Sequence, residues 1–156
     1  MKIYLAGSCA PERRNLMVAI AKYLRTLEKI EVYCPFELNI PNAWDMTQEE
    51  WSMKVFDADE RAIRNCDLFL MISEGRVSSA GTNWEQGYAY GLDKFIGVIQ
   101  TTDTPTSLMT YSSANAFYNV KTDGLDIKEI IDAIDKIIYF DFSNQPKKAN
   151  CKTVLT

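Results

Sequence analysis

The stretch "DLFLMIS", Asp67–Ser73, constrains the fold more than any other part of the chain. Its apolar run has no polar break, so both faces of the strand must be covered. Cover on both faces comes from helices that alternate with parallel strands. The flanking sequence supplies that alternation. "KIYLAG", Lys2 to Gly7, reads as a buried strand ending at a glycine. Pro11 suits the first turn of a helix, in which Leu16, Ala19, Ile20, Tyr23 and Leu24 recur at helical spacing. "EVYCPF" is a second strand, closed by Pro35, and "ELNIPNAWDM" reads as a long loop. "TQEE" is a capping box, with Thr47 as cap and Glu50 three residues on. Trp51, Val55, Ala58, Ala62 and Ile63 trace the apolar stripe of the helix that follows. After the central strand come a loop, a small helix with Glu85, and the strand "FIGVIQ". A loop rich in Thr and Ser leads to a weaker strand, "AFYNV", and "LDIKEIIDAIDKIIYF" is an amphipathic helix. The expected architecture is one α/β domain over residues 1–140 with a parallel sheet, and a polar tail over 141–156 that is loose or docks on a neighbour.

In such a fold the ligand lies beyond the carboxyl ends of the strands. That rim holds "AGSCAPER", the loop before Glu85 and the Thr/Ser loop. The composition narrows what the rim can do. Among 156 residues there is no histidine. This removes Ser-His-Asp and Cys-His catalysis and most catalytic zinc sites, so no metal is expected. Acid–base work falls to Asp, Glu, Tyr, Lys or Cys. No G-x-G-x-x-G and no P-loop pattern appears, and no cofactor is expected. A net charge of −4 without a basic stripe argues against nucleic acid as a partner. No long apolar run suits a membrane, the start lacks the form of a signal peptide, and the cytoplasm is the default location. The four widely spaced cysteines fit reduced thiols. Cys66 reads as core, while Cys9, in a rim loop, has no indicated role.

Two carboxylates stand in unusual places. Asp59 lies four residues after Val55 and four before Ile63, inside the apolar stripe. It either meets a buried donor at the edge of the core or faces a pocket with its pKa raised by burial. Asp67 opens its strand at the end away from the rim and reads as structural. Glu85 closes "TNWE", a second capping box, and a helix start favours an anion. It is therefore expected to be ionised, and an ionised carboxylate on a ligand rim can act as a nucleophile. Gly81 and Gly87 are expected to leave room beside it. One ionised acid plus one protonatable acid is the logic of retaining glycoside cleavage.

Three blocks, "IYLAG", "DERAIRNCDLFLMIS" and "AGTNWEQGYAYGLDKFIGVI", resemble the nucleoside 2-deoxyribosyltransferase family. The resemblance implies a flavodoxin-like three-layer sandwich with five parallel strands. It makes Glu85 the nucleophile of a covalent deoxyribosyl ester, which a free base or water then attacks. Asp59 matches the family's base-side aspartate, and Tyr4 a first-strand tyrosine that positions the nucleophile. Gly7 and Gly81 fall within the matching blocks as substrate-binding positions. Six residues before the nucleophile, where base-exchanging members often carry an aspartate, this chain has Ser79. The related nucleoside 5′-monophosphate N-glycosidases carry a serine there and another at the position of Ser8. Serine hydroxyls can donate to a phosphate that an aspartate would repel. Arg13 or Arg14 could add charge, although both also suit a solvated helix face. "SLMTYSSANAF" loosely resembles the segment by which a neighbouring subunit completes the site, which would carry Asn115 and imply a homodimer or larger homo-oligomer with shared sites. The implied partners are a nucleoside or its 5′-monophosphate and a free nucleobase. Two other readings stay open: an NAD-cleaving, TIR-like glycohydrolase, and a non-catalytic nucleotide sensor. Trp44 and Trp51 flank the open loop and could stack on a base. Trp51 fits core or lid packing better, Trp84 should pack under the sheet's edge, and Tyr88 and Tyr90 should be core.

Overall fold

The computed structural model describes residues 1–120 and 127–139; the expected tail lies outside them. Five strands form one sheet: β1 (Lys2–Gly7), β2 (Glu31–Tyr33), β3 (Leu68–Ser73), β4 (Phe95–Gln100) and β5 (Ala116–Asn119). Their order is β2-β1-β3-β4-β5 and every pairing is parallel. This is the doubly wound, flavodoxin-like order, in which β1 and β3 flank the switch point. All six residues of β3 are buried, as its apolar run requires.

Side chains of successive strand residues point to opposite faces, and the core divides accordingly. Ile3, Leu5, Leu70, Ile72 and Ile99 pack under α1 (Arg14–Leu24) and α5 (Ile127–Ile138). Tyr4, Ala6, Phe69, Met71, Ile96 and Val98 face α2 (Gln48–Asn65) and α3 (Ala80–Gly91). The capping box of α2 forms as read: Glu50 N–H donates to Thr47 Oγ1 at 3.2 Å, and Thr47 N–H donates to Glu50 Oε2 at 2.8 Å. Asp67 is structural, its Oδ2 accepting the Lys2 N–H at 2.7 Å.

Several local expectations are corrected. The Thr/Ser loop contains a short helix, α4 (Leu108–Ser113). Its sequence has no apolar period to announce it. Buried Gln86 of α3 fixes it by donating to Thr110 O at 2.9 Å and Ser113 Oγ at 3.0 Å. Trp84 is not under the sheet's edge. It is about half exposed, stacked on Tyr88 with ring centres 5.2 Å apart and touching Phe56. Tyr90 is exposed rather than core, and Trp51 is uncovered too. These side chains lie on helix faces that the narrow sheet cannot reach.

The rim loops are tied to one another. Arg13 pairs with Glu74, joining the loop after β1 to the loop after β3. Thr104, after β4, donates its hydroxyl to Glu74 O at 2.6 Å. Gly75 holds a φ of +69°, and a Cβ there would lie 2.2 Å from Thr104 Oγ1. Both facts require glycine at this crossing.

Candidate active site

Three aromatic residues share one register across adjacent strands: Tyr33 on β2, Tyr4 on β1 and Phe69 on β3. The Tyr4 ring stacks on Tyr33 and on Phe69, with centres 5.4 Å apart in each pair. Tyr4 is fully buried, but its hydroxyl is not idle. It donates to Glu85 Oε1 at 2.9 Å. One strand over, the Tyr33 hydroxyl donates to Asp59 Oδ1 at 2.7 Å. The two acids come from different helices, α3 and α2, and each receives one tyrosine hydroxyl from the sheet below.

Glu85 does not cap its helix. The cap of α3 is Ser79, whose Oγ accepts the Thr82 N–H at 3.2 Å. Thr82, the expected cap, is buried inside the helix and bonds Ser79 Oγ at 2.7 Å. A helix starting at Ala80 puts Glu85 in the second turn, outside the strong field of the helix start. The helix-start support for its ionisation, expected from the sequence, is therefore missing. Burial pushes the Glu85 carboxyl up to about 7; the Tyr4 hydrogen bond works the other way, and the charge of Asp59 adds to the rise.

At Asp59 the two sequence readings meet. It is partly buried, which raises its pKa, and its partly buried donor, Tyr33, counters that rise by favouring the charged form. Both tyrosines are held well above the usual phenol range, chiefly by burial, and keep their protons at neutral pH. Cys9 also belongs to this neighbourhood. Although exposed, its thiol is raised by partial desolvation and further by the charges of Glu85 and Asp59. Sequence reasoning missed Tyr33 and gave Cys9 no role. The available signal was positional: Tyr33 ends its strand at the rim.

The remaining expected residues divide. Gly7 ends β1 at the rim, and a Cβ there would lie 2.6 Å from the end of the Met17 side chain, which would have to move aside. Ser8 follows it, its Oγ accepting the Ala10 N–H at 3.3 Å. Ser79 sits at the start of α3. Gly81, four residues before Glu85 on the same helix face, has open space beside it. Gly87 faces elsewhere. With Asn83, Gln86, Tyr90 and Met109 it lines a groove of about 430 Å³ between α3 and α4, on the far side of α3 from Glu85. Asn115 stands apart from the acids, at the amino end of β5. Its N–H and Oδ1 bond Ile96 O and N–H at 2.8 Å each, which engages it in pinning its own sheet. Among the described residues no three His, Cys, Asp or Glu side chains gather as metal ligands. Nor is any helix among them long and apolar enough to cross a membrane.

Comparisons with known proteins bear on the family and the fold. A family model described as nucleoside 2-deoxyribosyltransferase matches residues 3–145. The chain is similar to a 2-deoxyribosyltransferase structure from the psychrotolerant bacterium Bacillus psychrosaccharolyticus, with a TM-score of 0.72 and 26% identity over 94% of this chain and 97% of that one. A CMP N-glycosidase from Clostridium botulinum shares the fold, with a TM-score of 0.59 and 21% identity over 86% and 98% of the two chains. A conserved protein from Enterococcus faecalis shares it at 0.53 and 22%, over 88% and 76%. No curated protein matches the chain in sequence.

Proposed function

The chain belongs to the nucleoside 2-deoxyribosyltransferase family, and from that premise we propose that it cleaves the N-glycosidic bond of a (deoxy)nucleoside through Glu85. The observation that carries this reading is the paired arrangement of two partly buried acids, each held by a tyrosine hydroxyl at one end of a parallel sheet. Tyr4 occupies Glu85 Oε1 and leaves Oε2 to attack the anomeric carbon. As the new C–O bond forms, the C–N bond breaks and its electron pair leaves with the base, which takes a proton from Asp59. A free base or a water then attacks the glycosyl ester, gives its proton to Asp59, and releases the Glu85 carboxylate. With the Glu85 carboxyl at about 7, a substantial fraction is ionised at neutral pH, and the Tyr4 bond favours that form.

A 5′-monophosphate substrate is the second reading. Ser79 stands at the amino end of α3, a helix of 12 residues, where backbone N–H groups favour an anion. Ser8 adds a hydroxyl from the loop after β1. Arg13 is already paired with Glu74, and a phosphate would compete with that carboxylate. The reading also includes a homo-oligomer, supported by the uncovered Trp84, Tyr90, Leu108 and Met109 on α3 and α4.

The test gives the purified protein nucleosides and their 5′-monophosphates, with and without a second free base, and follows base release by chromatography. Exchange on unphosphorylated deoxynucleosides supports a transferase. Release only from monophosphates supports the hydrolase and a phosphate role for Ser8 and Ser79. Nucleotide binding with no release from any substrate sinks the catalytic reading and leaves a sensor.

A further inference from the structure

The mechanism gives Tyr4 a task but leaves its stacked neighbour without one. Tyr33 is the last residue of a three-residue edge strand. An edge strand this short gains little from its own ladder, and a large aromatic at its rim end is placed by contacts beyond the sheet. Two such contacts exist. The ring lies on Tyr4 at 5.4 Å with planes 21° apart, and the hydroxyl reaches Asp59 Oδ1 at 2.7 Å. Because Tyr4 and Tyr33 share a register, the two acid-bound hydroxyls leave the same rung of the sheet. One ring stack thus holds both acid-bound hydroxyls, and the two carboxyls are also coupled through charge.

We propose that Tyr33 is a positioning residue that assigns the two oxygens of Asp59 different tasks, holding Oδ1 as an acceptor so that Oδ2 carries the proton exchanged with the base. This rests on the glycosidase reading above and adds a residue to it. A tyrosine that keeps its proton can only donate to a neighbouring carboxyl. Oδ1 is then filled whichever way Asp59 is charged. A proton bound by Asp59 sits on Oδ2, and the carboxyl cannot rotate without breaking the bond to Tyr33. The groups facing Asp59 are Tyr33 from β2, Tyr4 from β1, Glu85 from α3 and Cys9 from the loop after β1. Among them, Tyr33 alone has a hydrogen bond to Asp59 in the structure.

The experiment compares Tyr33→Phe, which keeps the ring stack and removes only the hydroxyl, with wild type and Asp59→Asn. The first readout needs no turnover: the infrared band of the protonated Asp59 carboxyl, identified by its loss in Asp59→Asn, followed against pH. In Tyr33→Phe its midpoint moves to higher pH, because the lost bond favoured the charged form. The second readout is base release at neutral pH, expected to fall about tenfold, the worth of one hydrogen bond at a carboxylate. The loss should shrink for an N-methylated nucleoside whose base leaves already charged and needs no proton. An unmoved midpoint, or an equal loss on both substrates, overturns the proposal. A moved midpoint in a protein that releases no base from any substrate upholds the hydrogen bond's control of Asp59 and sinks the glycosidase reading instead.

Discussion

The two faces of the sheet are built for different ends. The α1–α5 face is closed. Leu16, Met17, Ile20, Ala21 and Leu24 of α1 are buried, as are Ile130, Ala133, Ile134, Ile137 and Ile138 of α5. The α2–α3 face is open. In the 18 residues of α2 only Ile63 is buried, and its first half leaves Trp51, Met53 and Phe56 exposed. Both candidate acids belong to this open face, and so do most of the large exposed apolar side chains. Burying a carboxyl that must change its charge weakens a fold. The closed face can stabilise the domain while the open one holds groups that do not help it.

The strongest way to break that contrast is Glu85→Gln. Turnover should fall by more than about a thousandfold, because nothing nearby replaces the nucleophile. Stability should move the other way, in a pH-dependent manner. The folded pKa of about 7 lies above the unfolded value of 4.5. The favourable contribution of the protonated form is therefore fully present below 4.5 and lost as pH rises through about 7. That loss is on the order of 3 kcal/mol. The variant should match wild type in denaturant melts near pH 4.5 and exceed it at pH 8. Equal stabilities at pH 8 would mean that Glu85 is not strained by its burial, and the contrast between the faces would lose its physical basis.

A complementary substitution on the closed face is Ile137→Ala. Ile137 lies directly on Gly97 of β4, where a Cβ would come within 2.8 Å of its Cγ2. Truncation leaves a cavity over backbone that has no side chain to fill it. Unfolding free energy should drop by about 2–5 kcal/mol, with base release at 25 °C nearly unchanged. If activity fell in step with stability, the two faces would not be separable.

The same contrast explains what the sequence made legible. Closed regions follow periodicity. "DLFLMIS" and the apolar stripe of α5 report their burial directly, and four of the five strands match their sequence reading within a residue, whereas β2 stops at Tyr33, three residues short of "EVYCPF", because Pro35–Glu37 forms a tight turn. The residue pattern singled out Asp59 and Glu85, the family resemblance added Tyr4, and the structure brings these three together. The open face obeys other rules. "TNWE" has the letters of a capping box, but Ser79 captures the helix start one turn earlier, and with it the charge assigned to Glu85. The exposed Trp84 and Tyr90 carry the same apolar signal as core residues, because a one-dimensional pattern does not record how far the sheet extends. Tyr33 was overlooked because its partner, Asp59, is 26 residues away. Asn115 was expected to serve a neighbouring subunit's site; within its own chain its side-chain carbonyl accepts the Ile96 N–H of β4.

The smallest expected effect on the folded chain itself sharpens the contrast at its edge. Leu108 and Met109 of α4 are 62% and 79% exposed, and Met109 lines the groove together with Gly87 and Tyr90. A surface position with no intramolecular packing costs little to change, within about 0.5 kcal/mol. Met109→Glu should therefore leave the unfolding of an isolated chain almost untouched. If α3 and α4 form the contact in a homo-oligomer, the added charge is buried without a partner, and assembly should weaken sharply. Sedimentation velocity over a concentration series reads this directly. A wild-type oligomer that dissociates in Met109→Glu would explain why this face is left apolar. Base release falling in parallel would mean that the open face is completed by a second chain. An oligomer unaffected by the charge would move the contact to the exposed aromatic residues of α2, and a wild-type monomer would remove the shared-site reading altogether.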